Sequence, residues 1–205
     1  MSRKLLSLTA LGAASLMALT ACSGGTASSS QSSTSATASS SSSAPSSITI
    51  ESDQGNVEIK LPVQRVASLD NRTFEVLAQW NIPLVAAPKK LIPSTVKAYN
   101  TDSVADIGMH RDPNLEALAA SNPDLIISGQ RFTRFDSQIA EMNPGVPLIN
   151  LEPRDGKPLN EELIRQVTDL GEIFGHQEDA KKLVDDFNNA LNRAKKAYDG
   201  KSTVM

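Results

Sequence analysis

The strongest constraint on the fold is an alternation of short apolar strands with helices between residues 65 and 151. Residues 124–129 read Asp-Leu-Ile-Ile-Ser-Gly, which is typical of a strand buried on both faces of a parallel sheet. Further strands are predicted at 65–69, 84–87 and 146–151. Because helices separate these strands, the sequence predicts an α/β fold with an open, mostly parallel sheet.

Residue types at the predicted helix starts suggest specific N-caps. We expect Asp70 or Asn71 to cap the first helix, and Asp112 to cap the second with Pro113 in its first turn. Asn160 is the expected cap of a long helical stretch near the end of the chain.

A low-complexity tract precedes the predicted sheet. Residues 23–47 are almost wholly Ser, Thr, Ala and Gly, so they lack the apolar area needed to offset the entropy of ordering a chain. Alternating segments at 48–50 and 57–61, on either side of Gln54-Gly55-Asn56, predict a β-hairpin that opens the folded part. We therefore divide the start of the chain into a leader at 1–21, a flexible linker at 22–47 and an α/β lobe at 48–158.

The leader has the layout of a secretory signal peptide. Arg3 and Lys4 precede an uncharged run from 5 to 21, which has too many small residues and no basic flank to favour a membrane-spanning helix. The last residues, Leu-Thr-Ala followed by Cys22, resemble the lipobox of bacterial lipoproteins. That resemblance implies that Cys22 carries acyl chains such as palmitate and anchors the protein outside the cytoplasm on the cell membrane.

Two apolar stripes, separated by Gly175, run through residues 159–199. One helix of this extent would measure about 55 to 60 Å at about 1.5 Å per residue, longer than a small lobe is wide. Residues 200–205 read as a helix stop followed by the start of a strand. We expect an inter-lobe helix at 159–199, with a second lobe that begins at 200–205 and is missing from this chain.

Charge and rare residues exclude several functions. A net charge of −3 gives no general basic field, so nucleic acid is not an expected partner. With two histidines in all and the single cysteine assigned to the anchor, the chain offers no expected metal site and no thiol nucleophile. No Gly-x-Ser-x-Gly or Gly-x-Gly-x-x-Gly motif follows a strand, which argues against an enzyme.

Five segments follow one another in the chain: the opening strand 65–70, Asp-Ile-Gly at 106–108, Pro-Asn-Leu-Glu at 113–116, Asn-Pro-Asp-Leu-Ile-Ile-Ser-Gly at 122–129 and Leu-Gly-Glu-Ile-Phe-Gly at 170–175. In this order they resemble the iron-siderophore substrate-binding lipoproteins of ABC importers. The resemblance implies two Rossmann-like lobes joined by a long helix, of which this chain holds the first half. It also implies a monomer that captures an iron(III)-siderophore and delivers it to a membrane permease, with no catalysis and no cofactor apart from the ferric ligand.

Ligands of open α/β sheets bind beyond the carboxyl ends of the strands, which selects the loops 70–73, 88–90, 109–112 and 129–134. If the ligand is a ferric catecholate, its negative charge favours arginine. The candidate ligand-binding residues are Arg131, Arg111, Gln130, Arg72, Asn71 and Phe132.

The best single candidate is Arg131, although catecholate-binding relatives have arginine directly after the glycine. Here Gln130 separates Gly129 from Arg131, so either Gln130 or Arg131 can face the cleft. His110 ranks below Arg111, because a lone loop histidine is more often a polar surface residue than an iron ligand. Phe132 is the expected ligand-stacking ring.

The leading functional hypothesis is a membrane-anchored binding protein for a ferric siderophore. The same fold carrying haem or cobalamin is the first alternative. An extracytoplasmic enzyme is the second, because an α/β sheet hosts many activities.

Overall fold

The computed structural model describes residues 45–198 and residue 200. The predicted signal peptide, Cys22 and all of the linker before Pro45 lie outside the described residues. So do the residues after Gly200 in the segment at which we expect a second lobe to begin. Within the described part of the chain, no helix combines the length and apolarity that crossing a membrane requires.

A five-stranded parallel sheet forms the centre of the fold, in the order β5-β4-β3-β8-β9. The strands in chain order are β1 (Ser47–Ser52), β2 (Gly55–Lys60), β3 (Val66–Ser68), β4 (Leu84–Ala87), β5 (Ala105–Asp106), β6 (Gly108–Met109), β7 (Asp112–Pro113), β8 (Leu125–Ser128) and β9 (Leu148–Asn150). All four residues of β8 are buried, as the apolar run predicts. The parallel α/β architecture is confirmed.

Helices cover both faces of this sheet. They are α1 (Phe74–Gln79), α2 (Leu115–Ala120), α3 (Asp136–Met142), α4 (Leu159–Phe174) and α5 (Gln177–Ala197). One core cluster joins α1, α4 and α5 to one face of the sheet. The other cluster joins α2 and α3 to the opposite face, with Ala67 and Ile126 among its sheet residues. Burial on both faces explains why the central strands have no polar alternation.

The predicted opening hairpin is confirmed, with β1 paired antiparallel to β2. Its turn lies at Asp53 and Gln54, one residue earlier than expected. The turn docks on the main sheet, because the N–H of Asp53 donates to the carbonyl of Asn150 at 2.9 Å and Gln54 Nε2 donates to Asp136 Oδ2 at 2.7 Å. Burial raises the pKa of the Asp136 carboxyl, which also accepts a hydrogen bond from Ser128.

The predicted helix caps are wrong at each site. Thr73 is the N-cap of α1, because the side chain of Asp70 is occupied by Arg72. Asn114 caps α2 by accepting from the N–H of Ala117 at 2.8 Å, while Asp112 and Pro113 pair with β6 in a two-stranded hairpin. Pro158 occupies the N-cap position of α4, which leaves Asn160 inside the helix.

The predicted break at Gly175 is confirmed, so the stretch expected as an inter-lobe helix at 159–199 consists of two helices and not of one continuous helix. Gly175 adopts a left-handed conformation with φ 72°, which ends α4, and α5 begins two residues later. The two helices then lie side by side, so that Leu163 near the start of α4 and Phe187 in α5 line the same small cavity. A Cβ at Gly171 would lie 2.6 Å from the Cβ of Ala180, which makes this close packing dependent on glycine.

Candidate ligand-binding site

The strand order places a crevice between β3 and β8. From β3 the chain moves outward to β4 and β5, and it then crosses back to add β8 and β9 on the other side of β3. Open α/β sheets bind ligands beyond the carboxyl ends of the strands at such a change of direction, which here is bordered by the loops after β3 and β8.

The loop after β3 contains a buried carboxylate that pairs with an arginine of the same loop. Asp70 is fully buried and accepts from the backbone N–H of Arg72 at 2.9 Å. The guanidinium of Arg72 folds back on the same carboxylate, with Nη2 at 2.6 Å from Oδ2, and lies 3.6 Å from Glu152. Arg72 is therefore neutralised within the protein, which argues against it as a ligand residue in this conformation.

The loop after β8 approaches Asp70 closely. A Cβ at Gly129 would lie 2.6 Å from Asp70 Oδ2, so this approach requires glycine. The next residue, Gln130, has φ 53°, a left-handed conformation that costs about 1 kcal/mol or more outside glycine. Its N–H donates to Glu152 Oε1 at 2.6 Å and its side-chain amide donates to Asn71, which together hold the turn.

The inserted Gln130 therefore bridges two loops, and Arg131 takes a different direction. Arg131 Nη1 lies 3.3 Å from His110 Nε2, at the tip of the small β6–β7 hairpin. Arg134 donates from Nη2 to the backbone carbonyl of His110, and its guanidinium lies 4.7 Å from the centre of the Phe135 ring. The hairpin tip and the segment after β8 are thus in direct contact.

A cavity of about 220 Å³ lies where these loops meet. It is lined by Leu69, Asn71, Leu91, His110, Gln130, Arg131 and Phe132. Amide, imidazole and guanidinium groups provide the polar part of this lining, and Leu69 and Leu91 provide aliphatic wall. Such a mixture is suited to a small molecule that has both an anionic and an apolar surface.

Three arginines give this corner its positive charge. Among residues 45–198, Arg111, Arg131 and Arg134 form no ion pair with a carboxylate, whereas Arg72, Arg154 and Arg165 all do. Desolvation, and then the charges of Arg131, Arg134 and Arg111, hold the pKa of His110 below its ordinary value. The positive corner, defined as Arg111, Arg131, Arg134 and His110, has the electrostatics of an anion site.

The structure brings together four of the six candidates, Asn71, Gln130, Arg131 and Phe132, in the lining of one cavity. Arg111 is exposed on the adjoining hairpin and acts on His110 through its charge. Phe132 borders the cavity but is only 1% exposed, because its ring packs in the second core cluster and meets His110 in an edge contact. Its stacking on a ligand stays a prediction.

His110 was expected to rank below Arg111, and Glu152 was not among the predicted site residues. His110 lines the cavity because the chain forms an unforeseen β6–β7 hairpin with this residue at its tip. Glu152 follows β9 at the same edge of the sheet, and its position after a strand was the available signal.

A larger groove of about 840 Å³ lies elsewhere, between the β1–β2 hairpin and the end of α4, and its lining is mostly apolar. It contains Ile48, Val63, Ile173 and Phe174 but no arginine or histidine. Over the described residues, no cluster of three or more His, Cys, Asp or Glu side chains is arranged to hold a metal ion.

Residues 66–205 match the family model described as Periplasmic binding protein. The chain belongs to the periplasmic binding protein family. The ferric-anguibactin-binding protein FatB of Vibrio anguillarum is 32% identical over 139 residues, which are 67% of this chain and 43% of FatB. The petrobactin-binding protein YclQ of Bacillus subtilis is 20% identical over 146 residues, or 70% of this chain and 45% of YclQ. This periplasmic binding protein chain thus spans less than half the length of these curated relatives, both of which are binding proteins.

Solved structures of the family share the fold. The crystal structure of YclQ has a TM-score of 0.66 at 20% identity, covering 73% of this chain and 53% of YclQ. The siderophore-binding protein BauB, bound to a complex of two acinetobactin molecules and ferric iron, has a TM-score of 0.64 at 24% identity and covers 72% of this chain and 52% of BauB. This periplasmic binding protein chain therefore corresponds to about half of these two-lobed structures.

Proposed function

We propose that this periplasmic binding protein captures an anionic ferric siderophore and delivers it to the permease of an ABC importer. The observation that carries the proposal is the positive corner: three guanidiniums that have no carboxylate partner among residues 45–198, beside a cavity at the carboxyl ends of β3 and β8. The ferric-anguibactin-binding relative FatB, at 32% identity, supports iron chelates as the ligand class.

The contacts of each residue suggest its role in binding the ligand. Arg131 lines the cavity and offers donors to the oxygen atoms of an anionic chelate, and Arg111 adds charge at the rim. Asn71 and Gln130 supply neutral amides to the other side of the cavity. These groups bind and orient a complex whose iron is already coordinated by the siderophore, so no catalytic step and no resident metal are required.

We further propose that residues 1–21 are a signal peptide and that Cys22 is lipidated, so that the protein is anchored as a monomer to the outer face of a bacterial cell membrane. The basis is the lipobox-like Leu-Thr-Ala-Cys and the charged, then apolar, leader before it. Mass spectrometry of the membrane fraction tests this proposal: an acylated N-terminal Cys22 supports it, and an intact N-terminus on a released protein contradicts it.

The ligand class is tested by titrating the protein with ferric tricatecholate, ferric trihydroxamate and ferric citrate. The fluorescence of Trp80, the only tryptophan, monitors each titration. Haem and cobalamin serve as the comparison ligands. Quenching and a rise in melting temperature with a ferric siderophore support the proposal. A response to haem or cobalamin alone would show that the fold serves a different cargo.

A further inference from the structure

His110 is held in a contact that only its neutral form can make. A guanidinium has no acceptor, so the contact between Arg131 Nη1 and His110 Nε2 at 3.3 Å requires a lone pair on Nε2. The ring proton then resides on Nδ1. A proton added to Nε2 would place two donors and two positive charges against each other, and the contact would be lost.

Three arginines near the imidazole disfavour that proton. Arg111 adjoins His110 on the hairpin, and Arg131 and Arg134 face it from the segment after β8. The lining contributed by the loop after β3 is the uncharged Asn71.

Carboxylates and lysines on the packed elements do not contact the ring. Asp106 of β5 uses Oδ1 to accept from the N–H groups of Lys89 and Gly108, and Asp112 of β7 forms no hydrogen bond with the imidazole. Lys89 donates its Nζ to the carbonyl of Thr101, and Lys90 is exposed. Within the described residues, the ring therefore has cations around it and no counter-ion.

An anionic ligand in the cavity reverses this balance. Its negative charge attracts both the guanidinium and an imidazolium, so Arg131 and a protonated Nε2 can donate to the ligand instead of opposing each other. We infer that binding of an anionic chelate at the positive corner is coupled to the uptake of one proton by His110, which makes affinity depend on pH. This inference rests on the proposed function and adds a means by which acidity regulates the same site.

The direction of the pH effect follows from linkage. In the free protein, desolvation and the three arginines hold the pKa of His110 below its ordinary value, and the bound anion raises it. Between the pKa of the free state and that of the bound state, affinity rises as pH falls, by at most about tenfold per pH unit for one proton. Above the bound-state pKa and below the free-state pKa, His110 has the same charge in both states and the effect disappears.

The test is isothermal titration calorimetry of the full chain with a hexadentate gallium(III) tricatecholate that keeps its charge between pH 6 and 8. Titrations at pH 6.0 in MES and in Bis-Tris, which differ in ionisation enthalpy, give the number of protons taken up. We expect about 0.5 to 1 proton per chain, and a dissociation constant about threefold to tenfold larger at pH 7 than at pH 6. The His110→Asn variant should lose the proton uptake, whereas His176→Asn, at the other histidine of the chain, should retain it.

Heats that are identical in the two buffers, or proton uptake that survives in His110→Asn, would overturn the inference while leaving the proposed function intact. The absence of binding by every ferric or gallium chelate would instead overturn the proposed function together with the inference. A second measurement needs no variant: long-range ¹H–¹⁵N spectra recorded at a single pH of 6.5 should show Nε2 of His110 mainly unprotonated in the free chain and mainly protonated with the gallium complex. The same protonation state in both samples would contradict the coupling.

Discussion

Two groups of arginines at the same end of the molecule have opposite surroundings. Arg154 and Arg165 converge on Glu162, which is 3% exposed, at 2.8 and 2.9 Å, and Arg154 also reaches Glu51 at 2.8 Å. Arg111, Arg131 and Arg134 have no such partner among the described residues.

The comparison distinguishes arginines whose charge stabilises the fold from arginines whose charge is left to attract a ligand. Glu162 joins the loop after β9 to α4, and Arg165 Nη2 donates to the carbonyl of Glu152 at 2.8 Å, so this network fixes the segment that supports Gln130. In the positive corner, by contrast, the guanidinium charge is not cancelled within the protein. An arginine count alone does not distinguish these roles, and the partners of each arginine do.

We expect the largest effect, a loss of stability, when the ion-pair network loses the buried carboxylate of Glu162. Glu162→Ala leaves Arg154 and Arg165 facing each other without their shared carboxylate, so we expect the melting temperature to fall by about 10 °C. Differential scanning calorimetry measures this change. Glu161→Ala, at the exposed neighbouring position, is the matched control; an equal fall in both variants would refute a special role for Glu162.

The next effect concerns binding and should leave stability unchanged. Arg131→Ala removes a charge-assisted donor from the cavity, so we expect affinity for a ferric tricatecholate to fall by about 30-fold, corresponding to about 2 kcal/mol. Fluorescence titration of Trp80 gives the affinity, and a thermal melt within about 1 °C of the wild type shows that the fold is retained. Arg193→Ala, on exposed α5, should bind normally; similar losses in both variants would mean that net charge alone matters.

The smallest effect is a change in the pH dependence of stability. Burial raises the pKa of Asp169 to about 6, against the influence of Arg165. Because the folded-state pKa lies above the ordinary value of 3.8, this group makes folding less favourable as pH rises from about 4 to about 6, and the penalty is complete above that range.

Asp169→Asn removes this penalty while Arg165 keeps its contact with Glu162. We expect the variant to melt about 3 °C above the wild type at pH 7.5 and at nearly the same temperature at pH 4. Glu161→Gln, exposed on the same helix and not among the charges that act on Asp169, should show no such pH-dependent difference. A constant difference at both pH values would mean that Asp169 does not titrate in this range.

The sheet was predictable because its signal is local to each segment. The apolar run at 125–128 and the strand at 84–87 are visible without knowledge of their neighbours, and both are confirmed. The helix caps were not, because Asp70 has two competing uses: it can cap a helix or pair with Arg72, and only the assembled loop decides between them.

The packing of the two long helices and the arrangement of the site could not be predicted from local sequence either. The left-handed turn at Gly175 was visible as a break, but the packing of α4 against α5 depends on contacts between distant residues such as Gly171 and Ala180. The convergence of Arg131 on His110 depends on a hairpin of two-residue strands, which is too short to leave a periodic signal.

The central claim is that the positive corner holds the anionic chelate. A crystal structure of the protein with a ferric tricatecholate, with the iron located by its anomalous scattering, tests this most directly. We expect an iron peak beside Arg131 and His110, with catecholate oxygens accepting hydrogen bonds from both side chains. An iron peak in the larger apolar groove beside Ile48 and Phe174, with the positive corner empty, would contradict it.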